Sequence, residues 1–162
     1  MARSVRPGTL RRLMRWWPPF RGAGVRVQEI ADDWGHVRVR LRLGRWNRNW
    51  FGTQFGGSLY AMCDPFWALM LVQRLGRGYV VWDKSAEIEY VSPGRGDVFA
   101  EFTLPEERVA EIRAAAEGGE KVLPWFVCTV VAADGTVVAR VRKQVYVRRR
   151  QPSQPGRTSP DS

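Results

Sequence analysis

From about Thr53 to Leu75 the chain carries a segment that is apolar on nearly every side, and this constrains the fold more than any other feature. A helix lying on a protein surface shows one apolar stripe, whereas one that is apolar all round must be enclosed. Leu59, Tyr60, Met62, Phe66, Trp67, Leu69, Met70 and Leu71 spread too widely round a helix to share one stripe, so the rest of the chain must wrap this segment. Thr53 suits an N-cap and Gly76 a stop, which predicts one long central helix. Its beginning is odd. The stretch NWFGTQFGGSLYAMCD, Asn49 to Asp64, places three glycines and an aspartate where a plain core helix needs neither.

What surrounds the helix reads as strands. GHVRVRLRL alternates without a fault, with Val37, Val39, Leu41 and Leu43 on one face and His36, Arg38, Arg40 and Arg42 on the other. That is a half-buried antiparallel strand with a solvated arginine row. YVVWDKSAEIEYV reads as a long strand ended by SPGRGD, and DVFAEFTL, VLPWFVCTVVA and TVVARVRKQVYV continue the pattern. The last two are joined through Asp134-Gly135, a strong hairpin signal. PEERVAEIRAAAEGG inserts a short helix between strands, opening at Pro105 and closing at Gly118. Two strands, a buried helix and four further strands allow a strongly curved antiparallel sheet to wrap one helix, an α+β fold. Its exposed edge strand would be covered by pairing with a second copy, so a homodimer, or a tetramer built from it, is expected.

A chain of 162 residues with 44% hydrophobic content supports one sizeable core. The segments are a basic N-terminal helical arm over 1–24, one domain over 25–147 and a proline-, serine- and arginine-rich tail over 148–162 that reads as disordered. Two cysteines, Cys63 and Cys128, and one histidine form no cluster for a metal, and reduced thiols fit a cytoplasmic protein. The formal charge of +10 suggests nucleic acid, but residues 1–24 and 148–162 contribute +9 of it. A nearly neutral body argues against a phosphate-backbone groove. In TLRRLMRWWPPF, arginines break up every apolar group, which excludes a secretory signal, and no apolar run approaches the roughly 20 residues of a membrane span. The arm therefore reads either as a packing element or as a peripheral membrane contact through residues 1–20.

The spacing N-x5-F-G-G-x6-D followed by AEIEYVSPGRGD resembles hotdog-fold acyl-CoA thioesterases of the phenylacetate type. WPPFRGAGVRV, NRNWFGTQFGGSLYAMCDPFWALM and VWDKSAEIEYVSPGRGDVFAEF resemble more closely the hotdog family known as domain of unknown function 4442, over about Leu10 to Val147. The resemblance implies a hotdog fold and a site shared between two subunits. It places Asn49 in the loop before the helix, Gly56 and Gly57 at its start, and Asp64 as the carboxylate. Backbone N–H groups bared by Gly56 and Gly57 suit a thioester oxygen that becomes negative during attack. Two turns beyond Gly57 on the same face, Asp64 would act as base toward water or as nucleophile, partly desolvated among Met62, Cys63, Phe66 and Trp67.

Each of these residues also has a plain reading. The glycines suit close helix packing, Asp64 before Pro65 suits a helix kink, and Asn49 suits a loop cap. Phe55 stands where the thioesterases have histidine, and Asp83 where serine or threonine is usual, paired with Lys84 or acting on Asp64. Tyr60, Met62, Trp67, Met70 and Trp82 would line an acyl tunnel or form ordinary core, and Arg95, Arg148 and Arg149 would meet coenzyme A phosphates. The expected activity is acyl-CoA hydrolysis with no cofactor, coenzyme A being part of the substrate; the alternative is a non-catalytic acyl or lipid binder.

Overall fold

A computed structural model describes residues 5–150. The chain opens with two short helices, α1 (Pro7–Trp16) and α2 (Pro18–Ala23), divided where Pro18 ends one and begins the next. Strands β1 (Val25–Ile30) and β2 (His36–Leu41) form an antiparallel pair. Then come α3 (Gly56–Ala61), α4 (Phe66–Leu75), β3 (Tyr79–Tyr90), β4 (Val98–Thr103), α5 (Glu106–Ala115), β5 (Lys121–Val122), β6 (Trp125–Ala132) and β7 (Val137–Arg149). The seven strands make one antiparallel sheet in the order β1-β2-β4-β6-β7-β3, with β5 paired to β7.

Alternation in the sequence becomes the division between core and surface. Val37, Val39 and Leu41 of β2 are wholly buried, as are Val98, Ala100 and Phe102 of β4, which pairs with it. The row opposite is tied across the strands rather than simply solvated: Arg38 lies 3.3 Å and His36 3.6 Å from the Glu101 carboxylate, and the Arg40 guanidinium bonds Asp97 at 2.7 Å. Asp134-Gly135 forms the β6–β7 turn, with Gly135 at φ 86° and Asp134 accepting from the Thr136 N–H at 2.9 Å. Inside, Phe66 and Trp67 of α4 pack on Phe102, and Trp67 stacks on Phe126 with ring centroids 4.7 Å apart.

The long helix is where expectation and structure part. The segment is enclosed, with no residue of α4 exposed, but it is two helices separated by a turn over 62–65. Pro65 supplies no N–H and its ring crowds the carbonyl four residues back, which disfavours a continuous helix, and here the chain breaks rather than kinks. Nor is Thr53 the cap: α3 starts at Gly56 behind Phe55. Pro124 likewise divides the predicted VLPWFVCTVVA strand into β5 and β6. At the C-terminus β7 runs to Arg149, two residues into the expected tail; residues 151–162 lie outside the described part.

Candidate active site

The break between α3 and α4 sets Asp64 in a turn, and a lysine meets it there. Lys143 stands on the inward face of β7 with Val141, Val145 and Val147, and is fully buried. Its Nζ lies 2.7 Å from Asp64 Oδ1 and 2.8 Å from Asp83 Oδ2, and it also donates to the Asp64 backbone carbonyl. Three donors thus meet three acceptors, the condition under which a buried ammonium is tolerated. The Tyr60 hydroxyl donates to Asp64 Oδ1 at 2.8 Å. Burial first, then the bond to Asp64, push the Tyr60 phenol far upward, so it remains a protonated donor. Both bonds fall on Oδ1; among the described residues Oδ2 receives none, and the Asp64 side chain is 44% exposed. Asp64 is therefore ion-paired and half open, not desolvated among apolar neighbours.

A bulge brings Asp83 to this place. The β3–β7 register pairs Asp83 with Val145 and Ala86 with Lys143, slipping between Asp83 and Ser85. The extra residue puts both Asp83 and Ala86 on the sheet face that carries Lys143 and Val145. The partner of Asp83 is consequently Lys143, not Lys84, which is exposed at the bulge. Burial, the largest influence, and the Asp64 carboxylate raise the Asp83 carboxyl above its usual 3.8 against the opposing effect of Lys143. Because the folded value exceeds the unfolded one, the native state binds this proton more tightly. That stabilising contribution is complete below pH 3.8 and is lost as pH rises through the folded value. Asp83→Asn has no such proton, so urea unfolding at stepped pH should show a flatter loss of stability just above pH 3.8 than wild type; an unchanged slope would contradict this origin.

The glycines lie at the far end of α3 from Asp64, in a cleft whose lining does not include it. Gly56 and Gly57 open α3 in a cleft of about 550 Å³, shared with Phe55, Tyr90, Val91 and Pro93. A Cβ on Gly56 would stand 3.0 Å from the Tyr90 phenol oxygen, and one on Gly57 would stand 2.5 Å from the Phe55 ring. Since α3 has only six residues, any pull on an oxyanion comes from local N–H groups rather than from a long helix dipole. Asn49 borders this cleft, but its amide builds the loop: Oδ1 accepts from the Phe51 and Thr53 N–H groups at 3.0 Å, and Nδ2 donates to Thr53 Oγ1 and the Gln54 carbonyl. Gln54 completes the anchorage by donating to the Leu41 and Gly96 carbonyls.

Of the expected acyl-tunnel residues, four belong to one packed cluster, with Tyr60 at its margin beside Asp64, and Trp82 stands apart. Met62, Trp67 and Met70 are packed core. Trp82 faces the other side of β3, where it stacks on Tyr146 at 4.8 Å. Arg95 is exposed on the β3–β4 loop, while Arg148 and Arg149 reach the loop after α5, donating to the Gly119 and Glu117 carbonyls. Cys63 is buried, and the hydrogen bond with the free Cys128 thiol, then burial, push its thiol upward. Sequence reasoning passed over Lys143, although TVVARVRKQVYV carries the signal: a lysine in register with three buried valines.

A seven-stranded antiparallel sheet packed on a central helical segment is the α+β architecture of the hotdog fold. The chain belongs to the family described as Domain of unknown function (DUF4442), whose model matches residues 9–147. A Pseudomonas aeruginosa protein of unknown function, described as a probable thioesterase, superposes with a TM-score of 0.76 at 23% identity, covering 89% of this chain and 97% of that one. A protein of unknown function from Chlorobaculum tepidum gives 0.70 at 16%, covering 91% and 99%. A thioesterase from Haemophilus influenzae gives 0.65 at 12%, covering 91% and 93%. At these identities the likeness is one of fold. Among curated proteins there is no match.

Proposed function

We propose that the protein is a thioester hydrolase of acyl-CoA type, working as a homodimer with Asp64 facing Gly56 and Gly57 of a second copy. The observation that carries this reading is the half-open Asp64 carboxylate, fixed through one oxygen by Tyr60 and buried Lys143. The edge strand supports the composite site. Among the described residues β3 pairs with β7 alone, and it is largely exposed; it carries Asp83, beside Asp64, toward one end and Tyr90, beside Gly56, at the other. Antiparallel pairing of β3 with its own copy reverses that order, so one copy's glycine cleft meets the other's carboxylate. In such a site Asp64 takes a proton from water as the water oxygen bonds the carbonyl carbon, or attacks that carbon itself. The backbone N–H groups hold the oxyanion as the C–S bond breaks; in the first route Asp64 returns its proton to the leaving sulfur, and in the second water then hydrolyses the acyl-aspartyl anhydride and protonates the thiolate.

Phe55, in place of a histidine, favours a second reading in which the site binds an acyl group without turning it over. Coenzyme A release across a panel of acyl chain lengths separates the two. The first reading expects saturable release with at least one chain length. Tight acyl-CoA binding with no release for any of them would overturn it in favour of the second.

A further inference from the structure

The N-terminal arm presents an apolar outer face that its own domain does not cover. Leu10 and Met14 of α1 pack inward on the core. Leu13 and Trp16 point away from it, 61% and 65% exposed, and Trp17 follows at 44%. Positions three and four apart share a helix face, so these three side chains form one patch. Arginine surrounds it: residues 5–24 hold five arginines and no acid. The Arg15 and Arg21 guanidinia lie 6.0 and 5.4 Å from the Trp16 ring centroid, within cation–π range of the indole. Beside α2, the loop after β2 is tied down by Asn47, whose Nδ2 donates to the Ala23 carbonyl at 2.7 Å. That loop carries Trp46, 98% exposed.

We infer that α1, through Leu13, Trp16, Trp17 and the surrounding arginines, docks this protein on a membrane surface containing anionic lipid. Tryptophan partitions to the water–lipid boundary, and a helix with apolar residues set among arginines lies in that plane. A second copy is a poor occupant, because a symmetric contact would face five arginines with five more. The inference is independent of what the Asp64 site does.

Co-sedimentation of the full chain with phosphatidylcholine vesicles, with and without phosphatidylglycerol, tests it. Partition should require phosphatidylglycerol and weaken with salt. Each basic residue near an anionic surface is worth roughly fivefold in partition, so Arg12→Gln with Arg15→Gln should lower binding by roughly 25-fold. Leu13→Ser with Trp16→Ser should lower it at least about tenfold. Arg108→Gln with Lys121→Gln removes equal charge elsewhere and should change binding less than about twofold. Absence of binding to the anionic vesicles, or binding that ignores both α1 variants, overturns the inference. So does equal loss in the Arg108/Lys121 variant, which would indicate net charge rather than a docking face. A fall in oligomer mass with Leu13→Ser/Trp16→Ser would assign the patch to a second copy and overturn it too.

Discussion

Lys143→Met should lower the stability of the fold by about 3 kcal/mol, the bottom of the range for breaking a buried ion pair by removing one partner. The lysine side chain is buried, but Asp64 and Asp83 are 44% and 38% exposed. Water can therefore reach the two carboxylates left facing each other and repair part of the loss. For a domain of this size that corresponds to roughly 6–12 °C in Tm. The discriminating comparison is the triple variant Lys143→Met/Asp64→Asn/Asp83→Asn, read in thermal and urea unfolding. With both charges neutralised, most of the lost stability should return, because the penalty is unpaired charge rather than lost packing. A Lys143→Met protein as stable as wild type would show that the cluster is not a folding constraint. A triple variant no better than the single one would place the cost in the shape of the lysine stem instead.

The same lysine shows where the sequence was legible and where it was not. Alternation in GHVRVRLRL located the buried Val37, Val39 and Leu41, and Asp134-Gly135 located a hairpin, because each pattern acts within a few residues. The enclosed helix was legible as enclosed, since its apolar residues leave no face for water. Its interruption was legible only as one reading of Asp64-Pro65, a kink, because the apolar periodicity runs on through Pro65. That interruption frees the Asp64 carbonyl, and the group that takes it comes from 79 residues away on β7. Asp83 was singled out while its partner was misread: the neighbour in sequence, Lys84, is turned outward by a bulge set by the β3–β7 register. Pairings of this kind depend on which strands meet, which local pattern does not encode. Asn49, Gly56 and Asp64 were singled out for one site; Asn49 ties its loop together beside the cleft, and Gly56 opens α3 while Asp64 stands beyond its opposite end.

That separation is what Asp64→Asn should expose. Asparagine keeps an oxygen to accept from Tyr60 and Lys143, so the fold should persist, while a base or nucleophile is lost and coenzyme A release should fall by about 10²–10⁴-fold. Gly57→Val, which fills the start of α3 against Phe55, should be inactive for a different reason. If each site takes its glycines from one copy and its carboxylate from the other, a heterodimer of the two variants has one site with both defects and one with neither. Equal mixing with free exchange then restores about a quarter of wild-type release, because half of the dimers are mixed and each has one intact site. If a single subunit supplied both parts, every site in the mixture would carry one defect or the other and nothing would return. Recovery therefore requires both a dimer and Asp64 acting across it, whereas undiminished release by Asp64→Asn alone would remove Asp64 from the chemistry.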